Sequence, residues 1–119
     1  MEETEWIRNT IMEVRRGVIV LAVMSQLEQE QYGYSLLKLL ADHNMEVDQG
    51  TLYPLLRRLE SQGLLQSAWR IADEARPRRY YALNEKGRHA LEALKKEWDG
   101  TVTAMNAMLE PSARKRRMK

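Results

Sequence analysis

The stretch GTLYPLLRRLESQGLL, from Gly50 to Leu65, carries the pattern that decides the fold. Four leucines in it recur at spacings of three and four residues, which is typical of one buried helical face. Pro54 stands inside this pattern, although an interior proline lacks a backbone donor and costs about 3 kcal/mol. Its ring crowds the carbonyl of Gly50, the residue that tilts away most easily. We therefore predict a helix with Pro54 on its outer side and a core side formed by Leu52, Leu55, Leu56 and Leu59.

The outer side of this helix carries hydrogen-bonding groups and little acid, because Glu60 lies only at its edge. Arg57 is suited to fork onto a guanine and Gln49 onto an adenine, while Thr51 and Tyr53 are suited to phosphates. An ordinary solvated face with two arginines has the same composition. From this helix alone, DNA recognition and a plain surface remain open alternatives.

Helical patterns also precede the opening stretch. An apolar stripe that begins at Trp6 runs into the nearly all-apolar segment Val18–Leu27, which we expect to be the central buried helix. After a polar connector, a second helix runs from Tyr34 to Asn44, a plausible C-terminal cap. Asp48 is suited to cap the third helix.

The pattern changes after Gly63, which is suited to the left-handed end of the third helix. Segments 64–71 and 79–83 have strand-like spacing and flank the charged turn Asp73–Pro77, so we predict a β-hairpin. Asn84 then caps a long helix. Three helices, a hairpin and a long helix predict a mainly α protein with a small β-hairpin (α+β). This is a winged helix-turn-helix, in which the third helix enters the major groove and the hairpin touches the adjacent backbone or minor groove.

Positive charge is concentrated in the second half of the 119-residue chain, although the net charge is only +2. Residues 1–56 carry 4 basic and 9 acidic side chains, residues 57–80 carry 6 and 3, and residues 81–119 carry 9 and 5. All six basic groups of the middle segment are arginines, whose fork suits phosphate and guanine. This asymmetry indicates an anionic partner.

Several classes of protein fit the sequence poorly. There is no cysteine, the longest strongly apolar run is 18–24, and the N-terminus lacks the order of a signal peptide, so we expect a soluble cytoplasmic protein without membrane contact. His43 and His89 are isolated, and no cluster has metal-ligand spacing. We find no Ser/His/Asp set, carboxylate pair or glycine-rich phosphate loop. We therefore expect no enzymatic activity, no metal and no cofactor.

The long last helix favours a dimer. A helix of about 25 residues extends roughly 37 Å, about as far as the whole small domain. The three-helix body cannot cover all of its apolar stripe, and a second copy is the natural cover. Gly100 is a possible break in this helix. The stripe consists of Leu91, Leu94, Trp98, Val102, Met105 and Leu109.

The chain resembles the PadR family of bacterial transcriptional regulators. The matching stretches are Tyr32–Tyr34, the opening stretch Gly50–Leu65, "RPRRYYAL" (76–83) with Asn84 following, and Gly87 early in the last helix. They keep the family's order and spacing over residues 12–110, and the short C-terminal extension is similar to the family's shorter-tailed branch. The implied organisation is a winged helix-turn-helix with the N-terminal helix (1–83), a dimerisation helix (84–110) and a basic, disordered tail (111–119).

The resemblance implies a homodimer that binds a pseudo-palindromic operator on double-stranded DNA and usually represses. It also implies that the last helix and the N-terminal helix, with Trp6 and Ile11, build the dimer interface. Lys38, on the polar side of the second helix, is a further phosphate candidate. Nine positions match places that meet DNA in the family: Tyr34, Ser35, Thr51, Tyr53, Pro54, Arg57, Arg76, Arg78 and Arg79.

Several of these residues have simpler interpretations. Tyr34 is as well suited to packing between helices, and one of Arg78 and Arg79 is expected to pair with an acid such as Glu60. Of Tyr80 and Tyr81, at least one is expected in the core, because neighbours on a strand point to opposite faces. The rival function is a winged helix that contacts only proteins, through an acidic partner surface.

Trp98 has two interpretations. The simpler one is an aromatic in the dimer core. The resemblance implies another, because some members of the family hold flat aromatic molecules at the dimer centre with a tryptophan at about this place. Two Trp98 rings related by the dimer axis would then stack on a planar aromatic effector that releases the protein from DNA.

Overall fold

The structure is a computed structural model that describes residues 2–71 and 76–110. The middle of the predicted charged turn (72–75) and the predicted basic tail (111–119) lie outside the described residues. The elements in chain order are α1 (Glu3–Ser25), β1 (Gln31–Tyr32), α2 (Gly33–Asp42), α3 (Gln49–Ser61), β2 (Leu65–Arg70), β3 (Arg78–Leu83) and α4 (Glu85–Leu109). The fold class is confirmed: four helices enclose a core beside a small antiparallel sheet.

The third helix begins and ends where its sequence predicts. The carboxylate of Asp48 accepts a hydrogen bond from the backbone N–H of Thr51 at 2.7 Å, which satisfies one of the free donors of the first turn. At the other end Gly63 has a φ of 81°, and the N–H of Leu64 donates to the carbonyl of Leu59, a left-handed helix end that glycine favours. All four leucines of α3 are buried, whereas Pro54 is exposed within an unbroken helix.

The first two helices bury their apolar sides in one core that they share with α3. The first helix, α1, continues through residues 15–17 without a break. Val23 and Met24 are buried near its end, next to Leu27, whereas the N-terminal half of α1 is exposed. The second helix ends at Asp42, close to the predicted end, and Asn44 follows with a φ of 63°, a left-handed conformation that asparagine tolerates.

The sheet differs from the predicted hairpin, because it has a third strand. Gln31 and Tyr32, which the sequence predicts as connector and helix start, pair with β3 and give the strand order β1-β3-β2. Two residues are too short to show an alternating pattern, so only the tertiary pairing reveals this strand. Tyr81 is buried in the core as one of the two adjacent tyrosines was expected to be, while Tyr80 meets the Tyr32 ring edge-on at 5.4 Å.

The last helix is anchored at its first turn and is exposed beyond it. Asn84 accepts a hydrogen bond from the N–H of Gly87 at 2.8 Å, as its predicted capping role requires. The stripe prediction needs one correction: Leu91 is 2% exposed and packs in the core of its own chain, so it is not available to a partner. Gly100 does not interrupt the helix, which continues to Leu109.

Gly87 and Gly100 provide a matched test of this packing. A methyl group on Gly87 would overlap the backbone carbonyl of Leu64, whereas nothing lies within 4 Å of one on Gly100. We expect Gly87→Ala to lower the free energy of unfolding by about 1–3 kcal/mol, through overpacking. Gly100→Ala should raise it by up to about 1 kcal/mol, because alanine favours helix. Urea unfolding followed by circular dichroism measures both, and equal effects would contradict the close contact.

Candidate nucleic-acid interface

The outer face of α3 is fully available to a ligand. The side chains on this face are exposed, and Arg57 forms no salt bridge within residues 2–71 and 76–110. The predicted separation of a leucine side and a polar side is therefore present. The exposed residues are Gln49, Gly50, Thr51, Pro54, Arg57, Arg58 and Ser61.

The start of α2 lies beside this face, and Tyr53 joins the two helices. Its ring covers Gly33 so closely that a methyl group there would overlap the ring. Tyr53 is therefore half-buried, which leaves only part of its surface for a phosphate. Tyr34, by contrast, is 65% exposed, so the structure does not place it between helices. Lys38 is also exposed.

Ser35, a predicted DNA contact, already has local partners. Its hydroxyl accepts a hydrogen bond from the backbone N–H of Tyr32 at 3.1 Å. The same oxygen lies 2.8 Å from Oε1 of Gln31 and 2.9 Å from the Tyr32 carbonyl, and either of these can accept its proton. These bonds stabilise the start of α2. A DNA contact through Ser35 stays a prediction, and such a contact would have to share this hydroxyl.

The three predicted wing arginines have different surroundings. Arg76 is exposed. The guanidinium of Arg78 lies over the Tyr32 ring, 4.4 Å from its centroid, in cation–π geometry. Arg79 donates to both carboxylate oxygens of Glu60, at 3.1 and 3.2 Å, so Arg79 is the arginine that pairs with this acid. Arg76 and Arg78 remain the better candidates for phosphates.

A cleft of about 710 Å³ separates α3 from the sheet. Aromatic faces and arginines line it, and Glu60 is the one acidic side chain among the described lining residues. Arginine beside an aromatic face suits a phosphate with its attached sugar or base. The lining residues are Tyr32, Gly33, Tyr53, Arg57, Glu60, Ser61, Trp69, Arg78, Arg79 and Tyr81.

Tyr81, which lines this cleft, has a pKa that its surroundings raise. Burial raises the pKa of the Tyr81 hydroxyl above its usual value of 10.0, because the interior disfavours the phenolate. The positive charge of Arg79 acts in the opposite direction and is the weaker influence. Tyr81 therefore remains neutral well above neutral pH, where it contributes no negative charge to the basic cleft.

A second exposed surface is apolar and lies on α1 and α4. Trp6 and Ile11 are exposed on α1, and the stripe of α4 is exposed or half-buried beyond Leu91. Trp98 is 42% exposed and borders a separate cleft of about 380 Å³, which Leu21 and Met45 also line. The stripe residues left open are Leu94, Trp98, Val102, Met105 and Leu109.

The chain matches one protein family over most of this architecture. The model of the "Transcriptional regulator PadR-like family" matches residues 20–93, more than half of the chain. This range runs from the second half of α1 to the buried start of α4 and includes α3 and the hairpin. The chain belongs to the PadR-like family.

Individual relatives agree with this assignment. A transcriptional regulator of Mycobacterium tuberculosis is 40% identical over 80 residues, which is 66% of this chain and 74% of the relative. The crystal structure of a PadR family regulator from Eggerthella lenta is 40% identical, with a TM-score of 0.78 over 90% of this chain and 95% of that chain. One from Clostridium difficile is 32% identical, with a TM-score of 0.71 over 76% and 97%.

Family membership confirms the predictions that the protein is a DNA-binding transcriptional regulator and that it is not an enzyme. PadR-like proteins are transcriptional regulators and not enzymes, and they bind DNA, typically as dimers.

Within the described residues, no group of histidine, cysteine, aspartate and glutamate side chains is arranged to hold a metal ion. No helix in the described part of this PadR-like chain is long and apolar enough to cross a membrane.

Two aromatic residues of this candidate interface are not among the residues predicted from the sequence. Trp69, on β2, is 65% exposed and lines the cleft, and Tyr32 supports the Arg78 guanidinium. Leu65, Ser67 and Trp69 lie on one face of the strand, because they are two residues apart. The strand period therefore predicts that Trp69 lies on the same face as Ser67. The position of Tyr32 cannot be predicted in this way, because its strand is too short to show a period.

Proposed function

We propose that this PadR-like regulator binds a pseudo-palindromic operator as a homodimer and represses transcription, with α3 in the major groove. The observation that carries this proposal is the polar, exposed side of α3, where Arg57 lies without a salt bridge in the described structure and residues 49–59 include no acid. A recognition helix requires such a face, because base edges are contacted by free donors and acceptors.

The backbone of α3 supports a close approach to the groove. Gly50 and Pro54 are exposed on the same side of the helix and have short side chains, so the surface between Tyr53 and Arg57 is low. Because DNA must approach within hydrogen-bond distance of Gln49 and Arg57, a low surface between them removes a steric obstacle. Pro54 therefore shapes the recognition face without disturbing the leucine packing.

The hairpin supplies the flanking contacts. Arg76 is exposed, and Arg78 is held on the Tyr32 ring, where its side chain forms no salt bridge within residues 2–71 and 76–110. Tyr34 and Lys38 extend the same surface along α2. Contacts of this kind position the protein on the duplex, while α3 carries the sequence preference.

The first experiment measures binding to promoter DNA. Fluorescence anisotropy with the DNA upstream of the protein's own gene should show binding that weakens steeply with salt, because each neutralised phosphate releases a counterion. No binding at low salt would contradict the regulator proposal and favour the rival interpretation, a winged helix that contacts only proteins.

Arg57→Ala tests base recognition. We expect it to weaken operator binding by about 1–3 kcal/mol and to relax the preference at one base-pair position, because a bidentate contact to guanine is lost. Arg58→Ala is the matched control, since Arg58 is also exposed on α3 but points about 100° away from Arg57 around the helix axis. The control should weaken binding less and to the same extent on all sequences. Uniform weakening by Arg57→Ala would instead make Arg57 a phosphate contact.

The dimer proposal rests on the apolar side chains left open on α1 and α4. A patch of this size on an isolated chain usually marks an interface, and a two-fold dimer would cover it with the same surface of a second copy. The two α3 helices would then meet two half-sites on one side of the DNA.

Met105→Glu tests this interface. We expect light scattering to change from twice the 14.0 kDa chain mass to the mass of one chain, because a partner would bury the new charge without a counterion. Thr103→Glu is the matched control on the opposite side of α4, where Thr103 is exposed, and it should remain dimeric. A wild-type monomer at micromolar concentration would contradict the proposal.

The proposed effector is a planar aromatic molecule held between two Trp98 rings. The support is that Trp98 is partly open and borders the apolar cleft at Leu21 and Met45. Titration of phenolic acids should quench the fluorescence of the wild type more than that of Trp98→Ala, in which Trp6 and Trp69 remain as background. Equal quenching in the two proteins would exclude Trp98 as the sensor and leave it as an aromatic of the dimer core.

A further inference from the structure

One carboxylate connects the recognition helix to both strands of the hairpin. Glu60, in the last turn of α3, accepts hydrogen bonds from Arg79 on β3 at 3.1 and 3.2 Å. The same carboxylate accepts a hydrogen bond from the hydroxyl of Ser67 on β2. Because Ser67 and Tyr81 are directly paired in the sheet, and Arg79 lies two residues before Tyr81 on β3, Glu60 contacts both strands of the hairpin.

Two aromatic rings contact the Arg79 guanidinium in addition to the Glu60 carboxylate. Its guanidinium lies 5.7 Å from the centroid of the Trp69 ring and 5.8 Å from that of Tyr81, on the two paired strands. These contacts and the Glu60 carboxylate restrict the direction in which the arginine can extend. Arg79 is therefore oriented towards α3 and is poorly placed to reach out to a phosphate.

Stability alone does not account for this arrangement. The side chains of Arg79 and Glu60 remain 39% and 28% exposed, and ion pairs of this kind contribute little to folding. In addition, the buried Nε of Arg79 has no hydrogen-bond acceptor in the described part of the chain. An incompletely satisfied, half-exposed pair fits a group that sets an orientation better than one that stabilises a core.

The position of Glu60 also has an electrostatic consequence. It is the one acid among the described residues of a cleft that otherwise presents Arg57, Arg78 and Arg79. A carboxylate at a surface that binds a polyanion weakens non-specific attraction, and it also neutralises Arg79. Arg57, one helical turn earlier, is not among the salt bridges of the described residues. Glu60 thus holds one arginine inward and leaves the recognition arginine free.

We propose that Glu60 is a positioning residue that fixes the hairpin relative to α3 through Arg79 and thereby determines the specificity of DNA binding. This inference rests on the proposed function. It assigns Arg79 an inward role, in contrast to the direct DNA contact that the family resemblance implies. When the connection is lost, the hairpin and α3 no longer match the spacing of adjacent contacts on one duplex, while the positive charge of the surface increases.

Glu60→Gln separates these two effects, because it keeps an oxygen for Ser67 and removes the charge that holds Arg79. We expect operator affinity to fall about tenfold or more, while affinity for random duplex stays the same or rises. The salt slope on random DNA should steepen, by about 0.9 for each arginine freed per bound subunit. The ratio of operator to random affinity is the decisive quantity.

Two further variants identify the route of the effect. Glu92→Gln is the matched control, since Glu92 pairs with Lys95 at 3.6 Å on the exposed side of α4, and it should leave the ratio unchanged. In an Arg79→Gln background, Glu60→Gln should have no further effect on the ratio, because Glu60 acts through Arg79. Thermal unfolding of each variant shows that the protein remains folded.

The other outcomes overturn the inference in recognisable ways. Equal tightening on operator and random DNA would make Glu60 a purely repulsive charge. Equal weakening together with a lower melting temperature would make it only a contributor to stability, and an unchanged ratio would show that it has no role in specificity. If the wild type itself binds no DNA, the proposed function fails; if the wild type binds and the ratio is unchanged, only the role of Glu60 fails.

Discussion

The burial of one side of α3 is the constraint on which the rest of the structure depends. Its leucines pack in the core, and each contributes roughly 1.5–3 kcal/mol by leaving water. Because this side is fixed, the opposite side must face outward, and Gln49, Thr51 and Arg57 occupy it. Pro54 is tolerated for the same reason: its ring lies outside the packed side, and the helix loses one bond near its start instead of its core contacts.

The elements around α3 position the sheet beside that outward side. Gly33 and Gly87 permit two close approaches, of α2 to the Tyr53 ring and of α4 to the Leu64 carbonyl. At Gly87 a side chain would overlap the Leu64 backbone, so α4 would have to shift, whereas at Gly33 the Tyr53 ring would have to move. Apolar packing therefore forms the cleft between α3 and the hairpin. The charged side chains that line the cleft lie on elements that this packing holds in place.

Local signals made much of this fold predictable. The caps at Asp48 and Asn84 and the left-handed end at Gly63 each depend on a few neighbouring residues, so the sequence indicates them directly. The strand at 31–32 has no such signal, because it exists only through its pairing with β3. The helical period places Leu91 on the dimer stripe, whereas the structure buries it, because the period shows which residues share a side but not where along the helix the protein body ends.

The candidate site was predictable to a smaller extent. The outer side of α3 follows from its period, whereas the different roles of Arg78 and Arg79 depend on what lies opposite each of them. The sequence offered Glu60 as one partner for either arginine, and only the register of the strands places Arg79 on the side of α3. The sequence therefore predicts that the surface is basic, but the partner of each arginine depends on contacts between elements that are distant in the chain.

The central claim is that α3 and the hairpin together form the DNA-binding surface, and amide NMR during a titration with promoter DNA tests it most directly. We expect the largest chemical-shift changes at the backbone amides of residues 49–57 and 76–79, apart from Pro54 and Pro77, which lack an amide proton, and smaller changes at the start of α2 around Tyr34. The exposed side of α4 around Glu92 should change little. Changes centred on α1 and α4, with α3 and the hairpin unaffected, would show that DNA binds to a different surface.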